Sequence, residues 1–157
     1  MSPEHRLVTA LWTIHVHVYD EFEFTPELIP ISPFSGYGKT KLLQILKLIL
    51  SEPHLTKNTT APAMYRRLER KPRTCYLLDE DENLGVFTDK VMRALLDAAA
   101  EGGSIDRADG EFFVHFPCAI AFRGQAHDLP LSVLSRSRSN HGEGGPQQAL
   151  QQEKSRS

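Results

Sequence analysis

The residues with the clearest chemical potential lie between positions 33 and 40, in a segment that ends in Gly38-Lys39-Thr40. A glycine-containing loop between a strand and a helix can turn its backbone amides toward a phosphate. In such a loop Lys39 would reach the β- and γ-phosphates of a nucleotide, and the hydroxyl of Thr40 would bind Mg²⁺. The residues predicted to bind the phosphates are Ser35, Gly36, Tyr37, Gly38, Lys39, Thr40 and Lys41.

This loop motif departs from its common form at one position. The usual sequence is Gly-x-x-x-x-Gly-Lys-Thr, and here Pro33 stands where the first glycine is expected. The alternative for Lys39 is a solvated lysine in an ordinary loop. The motif therefore needs the support of a second, independent signal.

The second signal is a strand that ends in two acids. Residues 75–78 form an apolar run without alternation, which is typical of a parallel strand covered on both faces. Asp79 can hold the Mg²⁺ directly or through water, and Glu80 can orient and polarise the water that attacks the γ-phosphate. The alternative is a plain acidic turn over residues 79–82. Taken together, the two motifs predict a Mg-ATP site in which Lys39 and Glu80 are catalytic.

These motifs require a sheet flanked by helices. Strands predicted at 28–32, 74–78 and 118–122 alternate with helices at 38–50 and 60–70 and a later helix that ends at Gly102, which predicts a parallel sheet with right-handed crossovers. Thr60 and Thr88 are the predicted N-caps of the last two helices. A very short strand is predicted at 54–56, and Asp109-Gly110 predicts the turn of a hairpin.

Two further features concern how the sheet is covered and ordered. A helix over roughly residues 5–22 is predicted from apolar side chains at three-to-four residue spacing, namely Leu7, Leu11, Ile14, Val18 and Phe22. Pro30 lacks an amide hydrogen, so it is tolerable in the first strand only if that position faces an unpaired side of the sheet.

Composition excludes several classes of protein. The 157 residues carry 18 Lys and Arg against 20 Asp and Glu, a formal charge of −2, so any nucleic-acid binding would need a local basic patch. No apolar run approaches the roughly 20 residues of a membrane helix, and the first residues lack the features of a signal peptide. Cys75 and Cys118 are predicted to be small buried side chains in a reducing compartment. We therefore expect a cytoplasmic protein without a membrane partner.

Three segments are predicted along the chain. Residues 1–24 form an N-terminal helix packed on the core, 25–138 form the nucleotide-binding domain, and 139–157 form a polar tail. The tail is almost devoid of large apolar side chains, so it cannot bury enough surface to offset its ordering entropy, and we expect it to be disordered.

The chain resembles bacterial P-loop ATPases associated with phages and plasmids, often known only as a domain of unknown function. The resemblance covers roughly residues 8–137 and is carried by residues 10–15, 19–20, 31–33, 38–43, 59–63, 77–80, 95–98, 116–121, 129–130 and 135–137. A Ser-Pro opening to the loop, as at Ser32-Pro33, is common in this family. The resemblance implies a three-layer P-loop NTPase-like core. Glu80, directly after the metal-binding Asp79, favours the glutamate-containing branch of these folds, in which an additional strand, here residues 118–122, lies between the two motif strands.

The resemblance also implies partners and one more catalytic residue. Arg136 matches an arginine that such ATPases use on a neighbouring subunit's nucleotide, which implies a homo-oligomer; a solvated arginine in a Ser-Arg run is the alternative. Gln125 could help place the attacking water, or Arg123 could contact phosphate. The family implies a role in DNA handling or replication of mobile elements.

One departure from the family limits this interpretation. Arg138-Ser139-Asn140-His141 stands where the family has its final core strand. We therefore expect the final strand to be missing and the phosphate-loop strand to be an edge, as in a truncated copy. The alternative function is a nucleotide-binding module without turnover, and a third possibility is a nucleic-acid adaptor that uses the Ser-Arg tail.

Overall fold

The computed structural model describes residues 2–129, except 35, 37 and 81–84, together with residues 131 and 133. For Glu80 the description covers the backbone but not the side chain. The strands are β1 (Ile31–Ser32), β2 (Pro53–Thr56), β3 (Cys75–Glu80), β4 (Gly103–Arg107), β5 (Gly110–Val114) and β6 (Cys118–Arg123). The helices are α1 (Pro3–Val18), α2 (Lys39–Ile49), α3 (Ala61–Arg70), α4 (Gly85–Thr88) and α5 (Lys90–Glu101), with 3₁₀ turns at Tyr19–Glu21 and Ala126–Asp128.

The main sheet is parallel and has the strand order β1-β6-β3-β2. Strand β6 lies between the strand before the phosphate loop and the strand that carries Asp79, as the sequence predicts. The predicted α/β fold with an additional strand is therefore confirmed. Among the described residues β1 is an edge strand, and β4 and β5 form a separate antiparallel hairpin.

Alternation along the strands divides the core into two layers. Successive side chains of a strand point to opposite faces, so Cys75 and Leu77 join one cluster while Tyr76 and Leu78 join the other. The first cluster is closed by α1 and α2 and the second by α3, α4 and α5. The sheet is thus covered by helices on both faces, which explains the unbroken apolar runs of β3 and β6.

Helix α1 forms where one is predicted, but it ends at Val18 and not near residue 22, and it buries a different face. Trp12 and Val16 are buried, and the Trp12 indole N–H donates to the Pro26 carbonyl at 2.8 Å, which fixes the rotation of the helix. The predicted core residues are 43% to 64% exposed instead: Leu7, Leu11, Ile14, Val18 and Phe22. Both sets repeat at helical spacing, so periodicity alone selects the wrong one.

The expectation for Pro30 is also wrong in one respect. Leu28 N donates to Cys118 O, and Pro30 O accepts from Phe122 N, so residues 28 and 30 both face β6. The position without an amide hydrogen therefore points at the paired side, although β1 is an edge. The missing donor interrupts the ladder between the bridge at Leu28 and the two-residue strand β1.

Two helix caps and one hairpin turn differ from the prediction. Asp89 rather than Thr88 caps α5, because its carboxylate accepts from the amides of Val91 and Met92 at 2.8 and 2.9 Å. Thr60 occupies the N-cap of α3 without a side-chain capping bond. In the hairpin, Gly110 already pairs with Arg107, so the turn lies one residue earlier than predicted.

None of the helices in the described part of the chain is long and apolar enough to cross a membrane.

Candidate functional site

The phosphate-loop segment connects the carboxyl end of β1 to the first turn of α2. Gly36 and Gly38 have φ angles of 85° and 81°, in the left-handed region that favours glycine. A Cβ added to either would meet nothing within 4 Å, so glycine is needed for the backbone conformation and not for space. The predicted residues Ser35 and Tyr37 lie outside the described residues.

Two side chains, those of Ser32 and Lys39, bond to the loop backbone at Phe34. The Ser32 hydroxyl donates to the Phe34 carbonyl at 2.6 Å and accepts from the Phe34 amide at 3.3 Å. Lys39 is only 6% exposed, and its ammonium donates to the same carbonyl at 3.3 Å. A buried ammonium at the amino end of a helix produces a strong local attraction for an anion, because both the charge and the helix dipole are positive there.

Thr40 and Asp79 come together across 39 positions of sequence. The Thr40 hydroxyl donates to Asp79 Oδ1 at 3.1 Å, and Asp79 is 5% exposed. These are the two residues that the sequence predicts as metal ligands, and hard oxygen ligands suit Mg²⁺. No cluster of three or more His, Cys, Asp or Glu suited to a metal occurs within the described residues. Where Mg²⁺ is also held by phosphates and water, a protein needs to supply only one or two ligands.

The other predicted residues have different positions. Glu80 is the last residue of β3 and pairs in register with Phe122. Lys41 is exposed in the first turn of α2. Arg136 lies outside the described residues, so its predicted role is not tested.

The strand next to the loop ends in the two polar candidates. Arg123 is in register with Ser32 and is exposed. The Gln125 side chain is engaged in a capping box with Asp128, whose carboxylate accepts from the Gln125 amide at 2.7 Å. This engagement favours a structural role for Gln125 over the placing of a water.

A cleft of about 440 Å³ adjoins the loop, and sequence reasoning missed it. Ser32, Gly38 and Lys39 lie at one end of this cleft, and α1 contributes His5, Val8 and Thr9. Its floor is the segment around Pro30, and a volume of this size suits a small ligand. The spacing of residues 5 and 9 places them on one helix face, but only the tertiary packing reveals that this face borders the loop. Larger clefts of about 940 and 590 Å³ lie elsewhere and contain none of the predicted site residues.

Comparisons with known proteins agree with this arrangement at the level of the fold. No family model matches the chain, and neither does any curated protein. Among solved structures, a point mutant of RuvB from Thermotoga maritima is similar, with a TM-score of 0.60 and 18% sequence identity. The match covers 87% of this chain and 43% of that one, so the chain spans less than half the length of that structure.

The fold is that of a P-loop NTPase-like core. At 18% identity the likeness shows the fold alone. Within such a core, ligands bind outside the carboxyl ends of the parallel strands. Ser32, Asp79 and the start of α2 all lie at that end of the sheet.

Proposed function

We propose that the chain binds Mg-ATP at the loop between β1 and α2 and hydrolyses it. The observation that carries the proposal is the hydrogen bond between Thr40 and Asp79 beside the buried ammonium of Lys39. Phosphate charge, a metal and a positively charged group must meet at one point for phosphoryl transfer. Lys39 supplies the positively charged group, and Thr40 and Asp79 supply oxygen ligands for the metal.

Each residue has a defined role in this proposal. The backbone amides around Gly36 and Gly38 bind phosphate oxygens, and Lys39 neutralises the β- and γ-phosphates. Thr40 and Asp79 hold Mg²⁺, directly or through water, and the ion neutralises charge on the phosphates. Glu80 orients the attacking water and accepts its proton. The adjacent cleft at Val8 receives the nucleoside part.

The steady-state test compares phosphate release by the wild-type protein and the E80Q variant. We expect E80Q to bind ATP as tightly as the wild type and to release phosphate at least about 10²-fold more slowly, since general-base catalysis contributes that much. D97N is the matched control, because Asp97 is an acid on α5 away from the loop. Equal rates for E80Q and the wild type would remove Glu80 from the mechanism.

Assembly into a homo-oligomer is a further part of the proposal. Arg136 would act on the nucleotide of a neighbouring subunit, where an arginine can contribute about 10³-fold or more. Mixing inactive R136A with inactive K39A then restores part of the activity, because a mixed interface can contain both an intact Arg136 and an intact Lys39. No recovery on mixing would argue against a shared site.

The biological setting rests on the family resemblance. We propose a cytoplasmic, DNA-associated assembly of a phage or plasmid, and two buried free cysteines are in keeping with a reducing compartment. We also propose the division into a helix at 1–24, a P-loop domain at 25–138 and a disordered polar tail at 139–157.

A nucleotide-binding module without turnover is the second candidate. It is favoured by the edge position of β1 within the described sheet, which leaves the phosphate-loop strand supported on one side. Thermal denaturation with ATP, with and without Mg²⁺, separates the candidates. A stabilisation of about 2.7 kcal/mol at 100-fold over the dissociation constant, without phosphate release, would favour the module, and no stabilisation would exclude both candidates.

A further inference from the structure

A basic cleft lies along α3, at the β2 edge of the main sheet. Its volume is about 590 Å³, and it is lined by His54 of β2, Tyr76 of β3 and one side of α3. His54 and Tyr76 are paired near the amino ends of their strands. The loop that contains Lys39 follows β1, so the two sites lie at opposite edge strands of the same described sheet.

Helix α3 brings a dense group of cations to this cleft. Arg66, Arg67 and Arg70 line it together with Lys71, which follows the helix. Positions 66 and 70, and likewise 67 and 71, are one helical turn apart, roughly 6 Å along the axis. The cations therefore form two short rows, which fit a chain of anionic groups better than one isolated anion.

The positive charge of this cleft is largely uncompensated. Within the described part of the chain, none of Arg66, Arg67 and Arg70 forms an ion pair, and the nearby Glu69 carboxylate is already held by Arg107 at 2.7 Å. Lys71 alone has an acidic partner, Glu52, at 3.0 Å.

Arg67 carries the sharpest indication of a missing ligand. The residue is half-buried, and its Nε atom is buried with no hydrogen-bond partner among the described residues. Buried polar groups are almost always hydrogen-bonded, because an unmade bond leaves the desolvation cost uncompensated. A phosphate oxygen at this point would supply the acceptor.

The pKa of His54 is also affected by the positive charges around this cleft. Burial lowers the pKa of this imidazole, and the charges of Arg67 and Lys47 lower it further. The ring thus adds a donor to the wall of the cleft without a second buried charge.

We propose that this cleft binds the phosphate backbone of a nucleic acid. The chain as a whole has a charge of −2, so attraction to nucleic acid has to come from a local cluster, and α3 provides one. The proposal rests on the DNA-associated part of the function proposed above and not on the nucleotide site. The two can therefore fail separately.

The experiment measures the anisotropy of fluorescein-labelled 20-residue DNA, single-stranded and duplex, with the full chain at several salt concentrations. Arg66 and Arg70 are exposed, so R66E/R70E should fold like the wild type, which thermal denaturation checks. The expected loss of affinity is more than tenfold at low salt. The salt slope should fall by about 2, since each phosphate contact contributes about 0.9 to it.

Charge-matched controls separate the cleft from a general charge effect. R6E/K90E changes the net charge equally at two other exposed positions, and R138E/R156E does so in the terminal segment. We expect both to bind within about twofold of the wild type, and K39A to bind DNA normally while losing its stabilisation by ATP. R66Q/R70Q repeats the test without charge reversal, in case the reversed variant is unstable.

Several outcomes would overturn the proposal. They are equal binding by the wild type and R66Q/R70Q, an equal loss in R6E/K90E, and a loss confined to R138E/R156E. Binding of polyglutamate with the same affinity and the same dependence on Arg66 and Arg70 would also overturn it, because the cleft would then be a site for acidic peptide. Loss of ATP stabilisation in K39A with DNA binding retained supports both sites.

Discussion

The Thr40 hydroxyl lies 3.1 Å from Asp79 Oδ1 and donates a hydrogen bond to it, joining the first turn of α2 to the end of β3. We propose that the metal binds at this contact, where one oxygen comes from the start of α2 and the other from the strand two places away from β1 in the sheet. The contact also ties the loop to the core in the absence of ligand. The same pair should therefore influence both stability and metal-dependent binding.

Replacing Thr40 by valine separates these two effects. T40V keeps the shape but removes the donor to a carboxylate that is 5% exposed, so we expect a loss of about 1–3 kcal/mol of stability without ligand. The additional stabilisation by ATP that depends on Mg²⁺ should disappear. Chemical denaturation with ATP, with and without Mg²⁺, measures both.

The control for this prediction is T13V. Thr13 is also a helical threonine, but among the described residues its hydroxyl donates to the Thr9 carbonyl of its own helix. A Mg²⁺ effect that survives in T40V, or one that T13V removes equally, would contradict a metal site at Thr40 and Asp79.

The positive φ of Gly38 predicts a cost for any side chain there. Its φ is 81°, and an added Cβ would meet nothing within 4 Å, so G38A should lose about 1–2 kcal/mol from backbone strain alone. It should also bind ATP more weakly, because relieving the strain turns the loop amides away. Denaturation and ATP titration measure the two effects.

Gly110 provides a matched control for Gly38. It also has a positive φ and open space around the added Cβ, but it is the first residue of β5, directly after the hairpin turn. G110A should therefore lose stability and keep ATP binding. Equal ATP affinities for G38A and G110A would show that the conformation at Gly38 is irrelevant to the site.

The cleft beside the loop predicts which part of the nucleotide α1 contacts. Val8 is 55% exposed and lines this cleft together with Gly38. V8W should fill the space, weakening ATP binding at least about tenfold, which corresponds to about 1.4 kcal/mol. Binding of inorganic tripolyphosphate should not change, because it needs only the loop. Calorimetric titration with both ligands measures the difference.

Val18 lies on α1 as well, is 43% exposed and does not line the cleft. V18W is thus the control for V8W and should bind ATP normally. If V8W weakens ATP and tripolyphosphate equally, the cleft does not receive the nucleoside.

The sequence predicted those features that depend on long apolar runs and on chemistry at strand ends. The unbroken runs of β3 and β6 identify buried parallel strands, and parallel strands bring their carboxyl ends to one rim. That is why Asp79 could be expected near Thr40 although 39 positions separate them. The place of β6 between the two motif strands was predicted instead from Glu80, because a glutamate directly after the metal-binding aspartate favours the branch of these folds with an additional strand.

Features that depend on tertiary packing could not be predicted from the sequence in the same way. Helix α1 has two sets of apolar residues at helical spacing, and the contact of Trp12 with the Pro26 carbonyl decides between them. Pro30 illustrates the same limit, because its cost depends on the register with β6. The basic cleft was also missed, since the arginines of α3 alone resemble an ordinary solvated helix face until His54 and Tyr76 close the other side.

A buried polar contact between two histidines gives a prediction about pH. The Thr25 hydroxyl, which is 1% exposed, lies 3.3 Å from His15 Nε2 and 2.9 Å from His115 Nε2. Burial lowers the pKa of both imidazoles, and the charge of His115 lowers that of His15 further. If both imidazoles were protonated, two positive charges would lie close together in a half-buried environment and would share the Thr25 hydroxyl.

The sign of the pH effect follows from these lowered pKa values. Above the ordinary histidine pKa of about 6.5 both states of the protein are neutral at these positions, and stability is at its full value. As the pH falls below about 6.5 the unfolded chain takes up protons before the folded one, so the free energy of unfolding decreases. His54 adds to the same trend, because its pKa is also lowered.

Urea denaturation between about pH 8 and 5 measures this decrease. We expect the free energy of unfolding of H115Q to decline less steeply than that of the wild type. One of the three histidines no longer titrates in this variant, and the charge that lowers the pKa of His15 is removed. T25V should be less stable at every pH, since it leaves two half-buried ring nitrogens without the hydroxyl. Identical pH dependence in H115Q and the wild type would mean that the contact through Thr25 does not couple folding to protonation.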